Sequence, residues 1–481
     1  PPSMQRAAVV GAGPAGAAVA LGLARAGWDV DVFERREEDW SPAAFPRAWN
    51  VTLTRRALAA FEALGVDPER LRAEGVALQS RVVLPAEPRG KPTVLPMRFD
   101  NVSLAPWRVS RLLLQEAEKR GARTHFGQTL LDVRLPAPHD PGPRPSVKLL
   151  SNTVGFGTTV HELEVDLVVG ADGANSATRW ALQRHAFGFE TAQDFEGSAL
   201  YRVAQTASEP LPAEAGPEDA LDPDTGRLAA VGRAIYTVLS PGGKPGAIVS
   251  PNQGGESCSV VVAEEVFDGV ARADEAGASE ALAASLPALQ GFLSPAAVRE
   301  LAQGRPLAGR TVRCSRFHHG QVVLVGDAAH TMLNNLGQGA NAALEDALLV
   351  TQAVARTSCP SEIAPALADF TARRKADSDA AARLSKQAFS LAAFLPAGVN
   401  SALYALVYLS LQKLHAVAPS VFPAPWQTTV NDAPDVGYSE VHRIKRRQGA
   451  LGLAAVAAAL GAALLALVRL ARWALVRAAA A

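Results

Sequence analysis

The sequence predicts an α/β protein: a Rossmann-type dinucleotide-binding domain, an antiparallel β domain, a helical C-terminal region and one C-terminal transmembrane helix. Three observations predict it. The short apolar run Ala7–Val10 leads straight into Gly11-Ala12-Gly13-Pro14-Ala15-Gly16 and then a helix-forming stretch from Ala17 to Ala26. Alternating apolar runs at 199–207, 235–240 and 257–262 suit strands of an antiparallel sheet. The run from Ala450 to Val468 holds 19 residues without a charged or polar side chain.

The first element is a complete strand–loop–helix–strand unit. Four apolar residues read as a buried parallel strand. Gly11 permits the tight turn, Gly13 lets a pyrophosphate approach the backbone, and Gly16 lets helix and strand pack closely, with Ala15 between them in the loop. The helix N-terminus offers unpaired N–H groups and a positive dipole end to phosphates. Gly27 ends the helix, and Asp29–Phe33 forms the second strand, closing on Glu34. A carboxylate there accepts hydrogen bonds from a ribose 2′-OH and repels the 2′-phosphate of NADP. Arg35 and Arg36 argue faintly the other way. The glycine loop alone does not separate FAD from NAD.

Two later segments do. Val165–Val169 runs into Gly170-Ala171-Asp172-Gly173-Ala174-Asn175-Ser176-Ala177-Thr178-Arg179. Val322–Val325 runs into Gly326-Asp327-Ala328-Ala329-His330, followed by Gly337-Gln338-Gly339-Ala340-Asn341 and Glu345-Asp346. With the glycine loop, in this order and at these separations, they resemble the class A, para-hydroxybenzoate hydroxylase-like, FAD-dependent monooxygenases. The resemblance implies that FAD is bound by Gly11, Gly13, Ala15, Gly16, Glu34, Arg35, Arg47, Arg111, Asp172, Asp327, Gly337, Gly339, Ala340 and Asn341. Asp327, at the carboxyl end of a strand, is expected on the ribityl chain. Gly337 and Gly339 bring the backbone close to the flavin ring. The helix from Ala340 aims its positive end at the pyrimidine edge. Asp172 reads equally well as a strand-end turn, and His330 is expected to shape its turn rather than act as a base.

The segments Arg47–Leu53, Val109-Ser110-Arg111 and Val312–His318 resemble kynurenine 3-monooxygenases more closely. That likeness implies Arg81 and Asn341 as contacts to a substrate carboxylate. Three departures accompany it. Ala105 stands where those enzymes carry a tyrosine, Leu384–Phe389 replaces a tyrosine-rich stretch, and Asn334-Asn335-Leu336 replaces Pro-Phe-Phe. Lost phenolic hydroxyls remove donors useful on an anionic substrate.

The implied layout assigns residues 5–80, 111–186 and 311–355 to FAD binding. Residues 81–110 and 187–310 make the substrate domain, 356–440 the C-terminal helices and 450–468 the membrane anchor. The implied activity is hydroxylation of a small aromatic, kynurenine-like molecule through a flavin hydroperoxide, with O2 as co-substrate and NADPH as transient reductant. No catalytic side chain and no metal ligand are expected, because the cofactor carries the chemistry. The alternative is a membrane-associated FAD epoxidase or reductase acting on a quinone or isoprenoid.

Composition narrows the partners. Lys+Arg and Asp+Glu both number 47, giving zero net charge and no electrostatic case for nucleic acid. Cys258, Cys314 and Cys359 are too few and too scattered for a disulfide framework or a cysteine zinc site, so they read as small buried hydrophobes in a reducing compartment. A 19-residue helix spans roughly the 30 Å hydrocarbon core. Arg443, Lys445, Arg446 and Arg447 on one side and Arg469, Arg472 and Arg477 on the other suit interfacial anchoring. No charged-then-apolar leader precedes Ala7, so the body is expected to face the cytosol from a single-pass C-terminal anchor. The resemblance implies the mitochondrial outer membrane, with the endoplasmic reticulum as the alternative. Pro136–Pro145 and Glu209–Arg227 read as surface loops.

Overall fold

The computed structural model describes residues 4–41, 44–45, 49–136, 144–153, 157–212, 214–241, 243–252, 257–388, 390–391, 395 and 397–479. Two compact units emerge, Pro1–Ser385 and Lys386–Ala481.

In the first unit the apolar runs become parallel strands because both faces are covered, leaving no reason for a polar–apolar alternation. Among the described residues this sheet has the order His318–His319, Val322–Leu324, Leu167–Gly170, Arg6–Val10, Asp29–Phe33 and Arg123–His125. All neighbours are parallel except the edge pair His318–His319 with Val322–Leu324. The carboxyl ends of its three central strands deliver the three glycine-bearing segments to one edge. Helices Pro14–Arg25 and Gly339–Val354 approach closely through small residues. A Cβ added at Gly22 would lie 2.7 Å from Thr351 Cγ2, and one at Gly326 would lie 3.0 Å from the Ala343 Cβ.

The second sheet has the order His330–Thr331, Leu307–Cys314, Thr191–Ala207, Ser257–Ala263, Pro245–Pro251, Ala234–Leu239, Val76–Leu84, Thr93–Leu104 and Val51–Leu53. The three runs expected as strands lie within it. Two expectations need correction. The sheet is mixed rather than antiparallel throughout, since Ala234–Leu239 runs parallel to Val76–Leu84. The boundary drawn at residue 81 also falls inside Val76–Leu84, because hydrogen-bonded pairing with Thr93–Leu104 continues across it. One sheet face is buried by helices Glu275–Ser285 and Pro295–Gln303, which pack on Val82, Tyr236, Val249, Val260 and Val262. Alternation along the strand therefore puts Arg81, between buried Ser80 and Val82, on the other face, where it is exposed.

A smaller three-stranded sheet, Gln128–Arg134, Ser146–Thr153 and Gly157–Glu164, completes this unit. Of the loop expected at Pro136–Pro145, residues 137–143 lie outside the described residues. The segment Glu209–Arg227 contains the short strand Glu209–Pro210 and a 3-10 turn at Pro217–Ala220.

The second unit is helical: Ala397–Val417, Trp426–Asp432 and Tyr438–Ala479. The expected membrane segment is the middle of this last helix, not a separate element. Its basic lead is helical too, because neither Gly449 nor Gly452 interrupts the i to i−4 pattern. This is the one helix among the described residues long and apolar enough to cross a membrane.

Candidate active site

Gly11 adopts φ +98°, and a Cβ there would lie 2.6 Å from the Ala171 oxygen. Gly16 has no room either: its Cβ would lie 1.9 Å from the Gly11 oxygen. Gly13, the residue before helix Pro14–Arg25, is different, because its Cβ position meets nothing within 4 Å. The loop is tight on its protein side and open on the side a pyrophosphate would occupy. Ala15 is buried beside it.

Glu34 ends the second strand almost fully buried. Its Oε2 accepts from the Ala12 N–H at 2.9 Å, and its Oε1 accepts from the Arg36 N–H and Nε at 3.0 Å. Burial raises this carboxyl, but the Ala12 N–H and the Arg36 charge outweigh that and hold it below its ordinary value. The cation engaging Glu34 is thus Arg36; Arg35 is exposed.

Asp172 accepts from Ser176 Oγ at 2.6 Å and from the Thr178 N–H at 3.0 Å, which organises the turn into helix Ala177–His185. Burial raises its carboxyl against those bonds. The strand-end turn role of Asp172 is directly visible in these bonds. The same segment supplies a residue that sequence reasoning left without a role. Arg179 is fully buried and donates to the Ala174 oxygen at 2.7 Å and the Ala328 oxygen at 2.8 Å. One guanidinium therefore fastens the Asp172 turn to the Asp327 turn.

Asp327 opens to the cleft while protein crowds its other sides. That loss of solvation raises its carboxyl against the pull of His330, Arg310 and Arg179. His330 is buried and turned to helix Gly339–Val354. Its Nε2 lies 2.6 Å from Asp346 Oδ2, with the Phe317 ring 5.6 Å from its own. Asp346 also accepts from the Gly326 N–H at 2.9 Å and from Arg374 Nε at 2.6 Å. Burial would raise Asp346, yet His330 and Arg374 bring it down to about 2. Arg374 continues to Glu345 at 2.7 Å, and Glu345 to Arg56 at 2.9 Å. This buried chain of charges holds the Gly326 turn against helix Gly339–Val354.

Asn334–Leu336 form a 3-10 turn that ends at Gly337, φ +63°. The Cβ positions of Gly337 and Gly339 both meet nothing within 4 Å, so the loop presents bare backbone to the cleft. Ala340 follows in the first helical turn. Asn341 departs from its expected part. It is fully buried, accepts from the Thr54 N–H at 2.8 Å, and donates to the Gly337 oxygen at 2.8 Å and the Thr52 oxygen at 3.0 Å. Its amide is spent on tying the Gly337 loop to the Val51–Leu53 strand, which leaves no group for a substrate carboxylate.

Arg111 is exposed on helix Pro106–Glu118, which packs beside Pro14–Arg25. Arg47 lies outside the described residues. Where tyrosines were missed, the structure offers one the motifs did not flag. Tyr201 has Trp49 edge-on at 4.9 Å, and burial raises its phenol. It shares the non-helix-covered sheet face with Val203 by alternation. Nothing in its local sequence distinguishes it from a strand tyrosine in a core. At the position of the missing tyrosine-rich stretch, the Ser385 oxygen instead accepts from Asn335 Nδ2 at 3.1 Å.

Cys258 and Cys314 are buried free thiols, and burial pushes Cys314 up to about 12; Cys359 is half-buried. Among the described residues no group of three His, Cys, Asp or Glu is placed to hold a metal ion.

A dinucleotide cradle on a parallel sheet, facing a second sheet, defines a flavoprotein of the aromatic-hydroxylase fold. The model of the family described as "FAD binding domain" matches residues 4–376, and the chain belongs to that family. It is an oxidoreductase related to FAD-dependent monooxygenases. A kynurenine 3-monooxygenase of Salinispora arenicola is 29% identical over 478 residues, covering 95% of this chain and 96% of the relative. One from Salinispora tropica is 31% identical and covers 80% of each. Among solved structures, 2-methyl-3-hydroxypyridine-5-carboxylic acid oxygenase matches with TM-score 0.59 and 20% identity, over 80% of this chain and 91% of that one. A ternary complex of aklavinone-11 hydroxylase with FAD and aklavinone matches with TM-score 0.59 and 21% identity, over 80% of this chain and 68% of that one. These relatives lend no support to the mitochondrial expectation.

Proposed function

We propose that the chain hydroxylates a small aromatic, kynurenine-like molecule with FAD, NADPH and O2. The observation that carries this reading is the open backbone at Gly13, Gly337 and Gly339, where added Cβ atoms would fill empty space. Those positions follow the line a dinucleotide takes across the carboxyl ends of a parallel sheet.

Bound FAD supplies the redox chemistry that takes two electrons from NADPH and activates O2. The overall balance is substrate, O2, NADPH and a proton giving hydroxylated product, NADP⁺ and water. The protein binds, orients and excludes water. The N-terminus of Pro14–Arg25 and the Gly13 backbone receive the pyrophosphate. Glu34 accepts from the adenosine ribose, with Arg36 keeping it ionised. Asp327 accepts from the ribityl chain. The N-terminal end of Gly339–Val354 stabilises negative charge at the flavin's pyrimidine edge. Arg81, exposed on the sheet face away from the covering helices, receives a substrate carboxylate. The single dinucleotide fingerprint implies that NADPH docks transiently. Kynurenine 3-monooxygenase relatives support a kynurenine-like substrate, and the three departures noted above make kynurenine the first compound to test rather than the assigned one.

A screen of aromatic metabolites, kynurenine first, should find one that speeds NADPH oxidation and appears hydroxylated. Anaerobic NADPH should bleach the bound flavin in its presence. Persistent flavin colour with every aromatic tried contradicts the proposal.

The apolar helix within Tyr438–Ala479 favours a second reading, an FAD epoxidase or reductase acting on a lipophilic quinone or isoprenoid. The same helix supports a single C-terminal membrane anchor.

A further inference from the structure

In the first unit the loop from Leu221 to Leu228 borders a cleft of about 540 Å³, within the roughly 300–1,000 Å³ of small-molecule sites. Leu221 and Leu228 close the loop as an antiparallel bridge. Inside it the Asp222 N–H donates to the Arg227 oxygen and the Gly226 N–H to the Asp222 oxygen, both at 2.8 Å. Asp222 Oδ1 accepts from the Thr225 N–H at 2.7 Å, Thr225 Oγ1 at 2.8 Å and the Asp224 N–H at 3.1 Å. The Leu228 N–H donates to the Ala288 oxygen at 2.8 Å, which fastens the loop to the segment carrying Phe292. Phe292 and Leu228 line the cleft and belong to the helix-covered core, whereas Arg81 occupies the other face of the sheet.

Two opposite charges also line this cleft, Arg227 and Asp222, and they do not pair with one another. Arg227 Nε is buried without a hydrogen-bond partner, and among the described residues no ion pair engages its guanidinium. Asp222 Oδ2 accepts nothing among the described residues, since the loop donors all go to Oδ1. A buried donor without a partner forfeits its hydration with no return, and such groups mark places where a ligand completes the bonding.

We propose that this cleft binds a zwitterionic α-amino acid with an apolar side chain, its carboxylate on Arg227, its ammonium on Asp222 Oδ2 and its side chain against Phe292 and Leu228. The charges decide the class of ligand. A plain carboxylate gains Arg227 but is opposed by Asp222, and a plain amine gains Asp222 but is opposed by Arg227. An amino acid carries both charges on one carbon frame and satisfies both groups with charge-assisted bonds. A metal cation would find a single carboxylate, with Oδ1 already taken by three donors, beside a guanidinium. The hydrogen-bonded loop holds both groups in place before the ligand arrives, which lowers the ordering cost of binding.

The test is calorimetric titration of the full-length, FAD-loaded protein with three probes. These are L-phenylalanine, 3-phenylpropanoate, which lacks the ammonium, and phenethylamine, which lacks the carboxylate. Arg227→Met removes the charge and keeps an apolar stem, and Asp222→Asn keeps the oxygen that holds the loop. Arg81→Met is the control for the substrate cleft, and parental flavin colour with a parental denaturant midpoint certifies each variant as folded. Phenylalanine should bind the parent and Arg81→Met alike. It should weaken at least about tenfold in Arg227→Met and in Asp222→Asn, the scale of losing one charge-assisted hydrogen bond. Phenylpropanoate should gain affinity in Asp222→Asn and phenethylamine in Arg227→Met, gains that a loosened loop would not produce. Phenylalanine binding that survives Arg227→Met overturns the proposal. Binding that disappears with Arg81→Met instead also overturns it, places the amino acid in the substrate cleft and leaves the hydroxylase reading intact. A parent protein that takes up none of the three probes overturns it as well. So does phenylpropanoate binding the parent as tightly as phenylalanine, the mark of a plain carboxylate site.

Discussion

Arg374→Ala is expected to cost about 3–5 kcal/mol of unfolding free energy, the range for removing one partner from a buried ion pair. Both partners are nearly inaccessible: the Arg374 and Asp346 side chains are each 1% exposed, with Nε 2.6 Å from Oδ1. Removing the cation leaves the buried Asp346 carboxylate with only His330 and the Gly326 N–H, and frees Glu345 from one of its two arginines. Denaturant unfolding of the holoprotein checks the magnitude. The acid limb gives a second readout. Folding holds Asp346 at about 2 against an ordinary 3.8, so its contribution is complete above the higher value and is lost as pH falls through the lower. Without Arg374 the carboxyl rises, and acid unfolding should begin at higher pH than in the parent. An unchanged acid limb and a loss below ~1 kcal/mol, the scale of a surface pair, would show that the buried charges do not hold the Gly326 turn.

The second large effect concerns the cofactor. Gly16→Ala places a methyl 1.9 Å from the Gly11 oxygen, a backbone atom with no rotamer to escape through. Gly11 cannot yield, since its own φ of +98° and the nearby Ala171 oxygen fix the turn. The loop must open, which moves the N–H groups meant for the pyrophosphate. FAD affinity should fall by at least about a hundredfold, ~2.7 kcal/mol, and the protein should purify colourless. Gly13→Ala tests the other side of the same loop. Its methyl meets no protein atom, so any loss of affinity reports on space needed by the ligand. Flavin fluorescence titration measures both, and a yellow Gly16→Ala protein with parental affinity would refute this account of the loop.

The cofactor frame was legible because its signals are local. A strand, a glycine turn and a helix start within a dozen residues, and the steric demands at Gly11 and Gly16 act between near neighbours. The second sheet was legible as strands but not as pairing. Nothing local states that Ala234–Leu239 should lie parallel to Val76–Leu84, more than 150 residues earlier. Arg179 and Arg374 escaped for the same reason: their acceptors lie far along the chain, and an arginine in a helix pattern reads as a solvated face. Asn341 shows the opposite failure. Its place in the Gly337–Asn341 segment was clear, but the direction of its amide depended on the Val51–Leu53 strand and on Thr54 after it. Tyr201 needed the loop at Asn334 beside it before its hydroxyl could be related to the cleft. The apolar run at Ala450–Val468 was visible at once, whereas its continuity with Tyr438–Arg447 depended on helix propagation through two glycines.

FAD-dependent transfer of one oxygen atom to an aromatic substrate fixes where the new oxygen of the product comes from. Turnover of the best aromatic from the screen under oxygen-18 gas, with product mass spectrometry, tests it most directly. One labelled oxygen should appear in the hydroxylated product for each coupled NADPH oxidised. A product without label, or a reduced product formed without oxygen uptake, would contradict it.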